Sequence, residues 1–130
     1  MKISKVLLVD DDPNIRLVSQ ISLEEIGGWK VVAAASGKEG LDLAERERPC
    51  LILLDIMMPI MDGPTTFREL QKRDSIKHIP VIFLTAKVQS HEVESYKQLG
   101  AIGVLAKPFD PMKLASEIEA LLNASSTDCS

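Results

Sequence analysis

Short aliphatic runs alternate along the chain with longer stretches whose apolar residues recur at helical spacing. Residues 5–9 (KVLLV), 51–54 (LILL), 80–84 (PVIFL) and 102–106 (IGVLA) read as strands, and 30–35 (KVVAAA) as a weaker one. The run 51–54 has no polar alternation, the pattern of a strand covered on both faces.

Between these runs lie helix signals. Asp12 followed by Pro13 is a cap and first turn; the helix carries Ile15, Val18 and Ile21 at helical spacing and stops at Gly27-Gly28. Ser36-Gly37-Lys38-Glu39 has the form of a capping box and opens a helix that turns Leu41 and Ala44 inward and ends before Pro49. Pro64 opens a third, with Phe67 and Leu70 on one face, closing near Asp74-Ser75. Residues 90–99 form a fourth, whose Val93, Tyr96 and Leu99 make only a thin apolar face before Gly100 ends it. Asp110-Pro111 repeats the cap-then-proline start, and Leu114, Ala115, Ile118, Leu121 and Leu122 mark the clearest amphipathic helix. Residues 124–130 are expected to be a disordered tail, leaving 1–123 as one domain. Five strands alternating with five helices predict an α/β fold, a doubly wound parallel sheet with helices on both faces.

Composition narrows the function. The chain has 130 residues, enough for one domain with a real core, and is 45% hydrophobic and 26% charged, an ordinary globular balance. A net charge of −4 offers no basic stripe, so no direct contact with nucleic acid is expected. No apolar run is long enough to span a bilayer, and residues 1–5 lack a signal sequence, so the expectation is a cytoplasmic protein without membrane insertion. Cys50 and Cys129 make neither a disulfide framework nor a zinc set and are read as reduced.

In open α/β sheets, ligands gather beyond the carboxyl ends of the strands. Those ends present Asp10 and Asp11, Asp55, Thr85 and Lys107. Asp12 is explained as a helix cap, but capping does not explain Asp10, Asp11 and Asp55 together, because like charges raise one another's pKa. Such a cluster calls for a cation, and carboxylates without His or Cys favour magnesium. With the metal, the site has the parts for phosphoryl transfer: a carboxylate nucleophile in Asp55, and an ammonium in Lys107 and a hydroxyl in Thr85 to meet the phosphoryl oxygens.

Val9-Asp10-Asp11-Asp12-Pro13, the run from Asp55 through Met57, Met58 and Pro59 to Asp62-Gly63, Thr85-Ala86 and Lys107-Pro108-Phe109 resemble, in order and spacing, the receiver domain of two-component response regulators. The resemblance implies a flavodoxin-like sheet of order 2-1-3-4-5, Asp55 as phosphoacceptor, and magnesium held by Asp10, Asp11, Asp55 and the carbonyl of Met57. It further implies Thr85 as the switch hydroxyl, Ala86 as the small residue that keeps the phosphate accessible, and a cis peptide between Lys107 and Pro108. Met57 and Lys87 would flank the phosphoryl group and influence its lifetime. The phosphate donor would be a histidine kinase or histidine phosphotransfer protein, and the output a change in binding to a downstream protein, as expected of a stand-alone receiver that assists its own phosphorylation and dephosphorylation. Where the family often has an aromatic residue three positions before the lysine, this chain has Val104, so the signal is expected to leave through residues 85–90 and the fourth helix.

Three other readings compete. A haloacid-dehalogenase-type hydrolase needs a second acid two residues after the first, where this chain has Met57. A flavodoxin-type electron carrier needs a Ser/Thr/Gly-rich loop after the first strand, where this chain is acidic. A phosphorylation-independent interaction module shares the receiver fold, but all the site residues being present disfavours it.

Overall fold

In the computed structural model, which describes residues 3–86 and 90–124, each strand divides its side chains between two apolar layers. The strands are β1 (Lys5–Val9), β2 (Lys30–Ala34), β3 (Leu51–Asp55), β4 (Val81–Thr85) and β5 (Gly103–Ala106), all parallel, in the order β2-β1-β3-β4-β5. The helices are α1 (Pro13–Glu25), α2 (Gly37–Glu47), α3 (Gly63–Gln71), α4 (Ser90–Leu99) and α5 (Leu114–Ala124). This is the flavodoxin-like, doubly wound sheet with five helices expected from the sequence.

Period-two alternation builds the core. Leu7, Val9, Ile52, Leu54, Val81 and Phe83 face one layer with Leu41 and Ala44 of α2 and Phe67 and Leu70 of α3. Val6, Leu8, Leu51, Leu53, Ile82 and Leu84 face the other, with Leu23 of α1 and Leu114, Ala115, Ile118 and Leu122 of α5. The central strands β3 and β4 are buried at every position, which is why their sequences read as unbroken aliphatic runs.

The caps act as their residue types dictate. The Asp12 carboxylate accepts from the Asn14 and Ile15 amides, and Asp62 accepts from the Thr65 amide. Ser36 accepts from the Glu39 amide, while Glu39 reaches back to the amide of Ala35.

The structure also corrects several expectations. Ile15, Val18 and Ile21 marked α1 in the sequence, yet Val18 is 41% and Ile21 53% exposed. The helix instead buries Ser19, Ser22 and Leu23, because small serines let it lie close to α5, with Ser22 Oγ donating to the Pro111 carbonyl. α3 ends at Gln71, earlier than expected, because Lys72 and Arg73 bond to carbonyls three residues back and tighten the chain into turns. α5 begins at Leu114, not Pro111: Asp110 does accept from the Met112 amide, but it caps a turn that precedes the helix. Ala124 is the last residue of α5, and the remainder of the expected tail lies outside the described residues. Cys50 is disulfide-bonded, not reduced. It lies half-buried immediately before β3; Cys129 lies outside the described residues.

Candidate functional site

Three strand ends meet at one edge of the sheet. β1 delivers Asp10, which is wholly buried, and β3 delivers Asp55, 2% exposed. Exposed Asp11 completes the group; carboxylate oxygens of Asp10, Asp11 and Asp55 lie within 4.8 Å of one another. Opposite them, the main-chain amide of Lys107 donates to the Thr85 carbonyl at 2.8 Å, extending the β4–β5 ladder and fixing where the lysine starts. Its ammonium then donates to Asp10 Oδ2 and Asp55 Oδ1, at 3.0 Å each. The peptide from Lys107 to Pro108 is cis, as the resemblance implied.

The electrostatics follow from burial. Burial drives the Asp55 carboxyl up from 3.8 to about 6. The hydrogen bond from Lys107 opposes that rise, while the neighbouring Asp10 and Asp11 add to it. For Lys107, burial works to lower the pKa, but its bonds to Asp55 and Asp10 prevail and hold the ammonium above the ordinary lysine value. One ammonium against three carboxylates leaves uncompensated negative charge in a largely dehydrated site. That is the chemical character of a seat for a hard cation: oxygen donors only, close together and too acidic to stand alone.

Around this centre the other sequence-predicted residues fall at different depths. Thr85, at the end of β4, is 8% exposed. Ala86 beyond it is exposed, and Met57 is 74% exposed in the loop after β3. Lys87 lies outside the described residues. Val104 is part-buried against the layer that contains Phe83, its register partner in β4.

The sequence did not announce the structural role of two site-shaping residues. Gly63 was legible as a turn former, but its role is close approach: a Cβ there would stand 2.5 Å from the Asp55 carbonyl oxygen and 2.8 Å from Ile56 Cα. Its amide donates to the Ile56 carbonyl, folding the β3–α3 loop back under the acid. Arg16 of α1 donates to the Asp10 carbonyl at 2.8 Å, a link of six residues that no helical or strand periodicity announces.

Residues 6–119 match the family model of the response regulator receiver domain, and the chain belongs to that family. It is 38% identical over 118 residues to response regulator Rre1 of Synechocystis sp., covering 90% of this chain and 51% of that protein. It is 36% identical over 121 residues to the alkaline phosphatase synthesis transcriptional regulatory protein PhoP of Bacillus subtilis, covering 93% of this chain and 49% of that one. The chain thus spans about half the length of these curated relatives. Among solved structures it is similar to the chemotaxis response regulator CheY4 of Vibrio cholerae, with a TM-score of 0.85 and 32% identity, covering 93% of this chain and 100% of that one. Its role is therefore that of a two-component response regulator receiver. No described helix is long and apolar enough to cross a membrane.

Proposed function

We propose that Asp55 is the phosphoacceptor of this receiver, and that Asp10, Asp11, Asp55 and the carbonyl of Met57 hold magnesium. The observation that carries the reading is the Lys107 ammonium poised 3.0 Å from buried Asp55, within an acidic cluster completed by buried Asp10 and exposed Asp11. A carboxylate oxygen of Asp55 attacks phosphorus; the bond from phosphorus to the donor's imidazole nitrogen breaks, and the imidazole leaves with the electron pair and takes up a proton. Lys107 turns from Asp55 to a phosphoryl oxygen, and the Thr85 hydroxyl donates to another. Magnesium held by the acidic residues would supply positive charge to offset that of the phosphoryl group. The same groups assist attack by water when the aspartyl phosphate is hydrolysed, and exposed Ala86 and Met57 leave an approach for donor and water.

The donor class is a phosphohistidine on a histidine kinase or histidine phosphotransfer protein. The output is altered binding to a downstream protein rather than contact of this domain with nucleic acid, since the net charge is −4. The test is incubation with acetyl phosphate and magnesium followed by intact mass measurement. Gain of one phosphoryl group, lost in Asp55→Asn and on removal of magnesium, is the expected result. No gain in the wild type would leave a receiver fold that signals by binding alone.

A further inference from the structure

Asp10 has every polar group engaged. Its amide donates to the Ala34 carbonyl at 3.1 Å, its Oδ1 accepts from the Asp12 amide at 2.9 Å, and its Oδ2 accepts from Lys107 at 3.0 Å. The remaining group, the main-chain carbonyl, belongs to a residue with no exposure and needs a donor. Arg16 supplies it from the second turn of α1, through Nη1 at 2.8 Å. Asp12 is in turn fixed as the α1 cap by the Asn14 and Ile15 amides. Asp11 therefore stands, exposed, between two residues whose backbones are both tied down. The Asp10 carbonyl is part of the peptide that joins Asp10 to Asp11, so whatever holds that oxygen sets the plane from which the Asp11 side chain departs.

We infer that Arg16 is a positioning residue for Asp11: by holding the Asp10 carbonyl it fixes the backbone from which Asp11 meets Asp55, and thereby sets how tightly the site takes a divalent cation. The inference rests on the proposed magnesium seat. It runs against the simplest electrostatic expectation, because Arg16 is itself a cation close to the acids. If charge alone mattered, removing it would tighten magnesium binding. If position matters, removing it weakens binding even though a repelling charge has gone.

The sign of the change decides between them. Magnesium chloride is titrated into the wild-type chain, Arg16→Gln and Arg16→Lys, with binding followed by the amide shifts of Asp11 and Asp12 in nuclear magnetic resonance and stability by thermal unfolding. The expected result is affinity about tenfold weaker in Arg16→Gln, the usual scale for groups that orient a ligand without touching the metal. Arg16→Lys, which keeps a donor and the charge on a shorter reach, should recover part of the loss. Equal or tighter binding in Arg16→Gln, or a lower melting temperature with unchanged affinity, overturns the inference while leaving the magnesium seat in place. Should Arg16→Gln not fold, Arg16→Met, which keeps the apolar stem and has no donor, takes its place, and equal or tighter magnesium binding there overturns the inference equally. A wild type that takes no magnesium overturns the seat itself, and the inference with it.

Discussion

The ammonium of Lys107 lies 3.0 Å from Asp55 Oδ1, with 15% of the lysine side chain and 3% of the aspartate side chain exposed. A pair so covered is destabilising to break, because the surviving charge has neither water nor partner. Lys107→Ala should lower unfolding free energy by about 2 kcal/mol at neutral pH in the absence of divalent cation, less than a fully buried pair because the site borders solvent. The deficit should shrink as pH falls toward about 6, because without Lys107 the Asp55 carboxyl takes up its proton at a higher pH than in the wild type and then no longer needs the cation. Urea unfolding of both proteins across that range measures it; a deficit independent of pH would mean that the lysine stabilises by packing alone.

Asp55 itself predicts how stability depends on pH. Its carboxyl is raised from 3.8 to about 6 by burial, so the folded state binds its proton more tightly than the unfolded chain does. The group's stabilising contribution is therefore complete below pH 3.8 and is lost as pH rises through about 6. The loss is of order 3 kcal/mol in the metal-free protein. Asp55→Asn should abolish that dependence and stabilise the metal-free protein above pH 7 by about 2 kcal/mol, and Asp11→Asn should act in the same direction by less. Magnesium at ten times its dissociation constant should return about 1.4 kcal/mol to the wild type. Thermal unfolding against pH, with and without magnesium, checks all three; neither substitution stabilising the metal-free protein would mean that the acids do not repel.

Strand positions, strand ends and the residues displayed there were legible because they follow from alternation and from which residue types stop a strand, whereas the strand order was implied by the resemblance to receiver domains. Leu51 to Leu54 announced a doubly covered strand, and Asp55 at its end announced the rim. What escaped was set by contacts between distant parts of the chain. Val18 and Ile21 fall at helical spacing with Ile15, yet α1 turns Ser19 and Ser22 inward, because its neighbour is close enough to favour small residues. Arg16 reads as a solvated helix residue until the fold brings the Asp10 carbonyl beneath it. Gly63 reads as a turn until Asp55 is seen against its missing side chain.

Ile60 offers a separate test within the β3–α3 loop. It is a β-branched residue at φ +70°, fully exposed, between Pro59 and Met61, whose amide donates to the Pro59 carbonyl at 2.7 Å. A left-handed backbone costs an ordinary residue about 1–2 kcal/mol, and exposure means that no packing offsets it. Ile60→Gly removes the steric strain at some expense of unfolded-state entropy, so a net gain of about 0.5–1 kcal/mol is expected in urea unfolding. A loss of stability would show that the side chain contributes contacts despite its exposure.

The fourth helix supplies the last prediction, because its hold on the sheet is concentrated at one side chain. The part-buried Tyr96 packs on Phe83 with ring centroids 5.0 Å apart, and Phe83 packs in turn on Phe67 at 5.8 Å. Phe83 is two residues before Thr85 on β4 and pairs with Val104 on β5, so its ring connects the Thr85 end of the strand to α4. Val104 offers no ring of its own to move, which leaves Tyr96 as the ring by which α4 meets the site's strand. Tyr96→Ala should therefore lower stability by about 1.5 kcal/mol and reduce hydrogen-exchange protection across residues 91–99 more than across 114–122. Beryllofluoride with magnesium, a stand-in for the phosphoryl group, should change protection of the same α4 amides in the wild type and have a smaller effect in Tyr96→Ala, where the attachment is already lost. Unchanged α4 protection in the wild type on adding beryllofluoride would show that the signal leaves the domain by another surface.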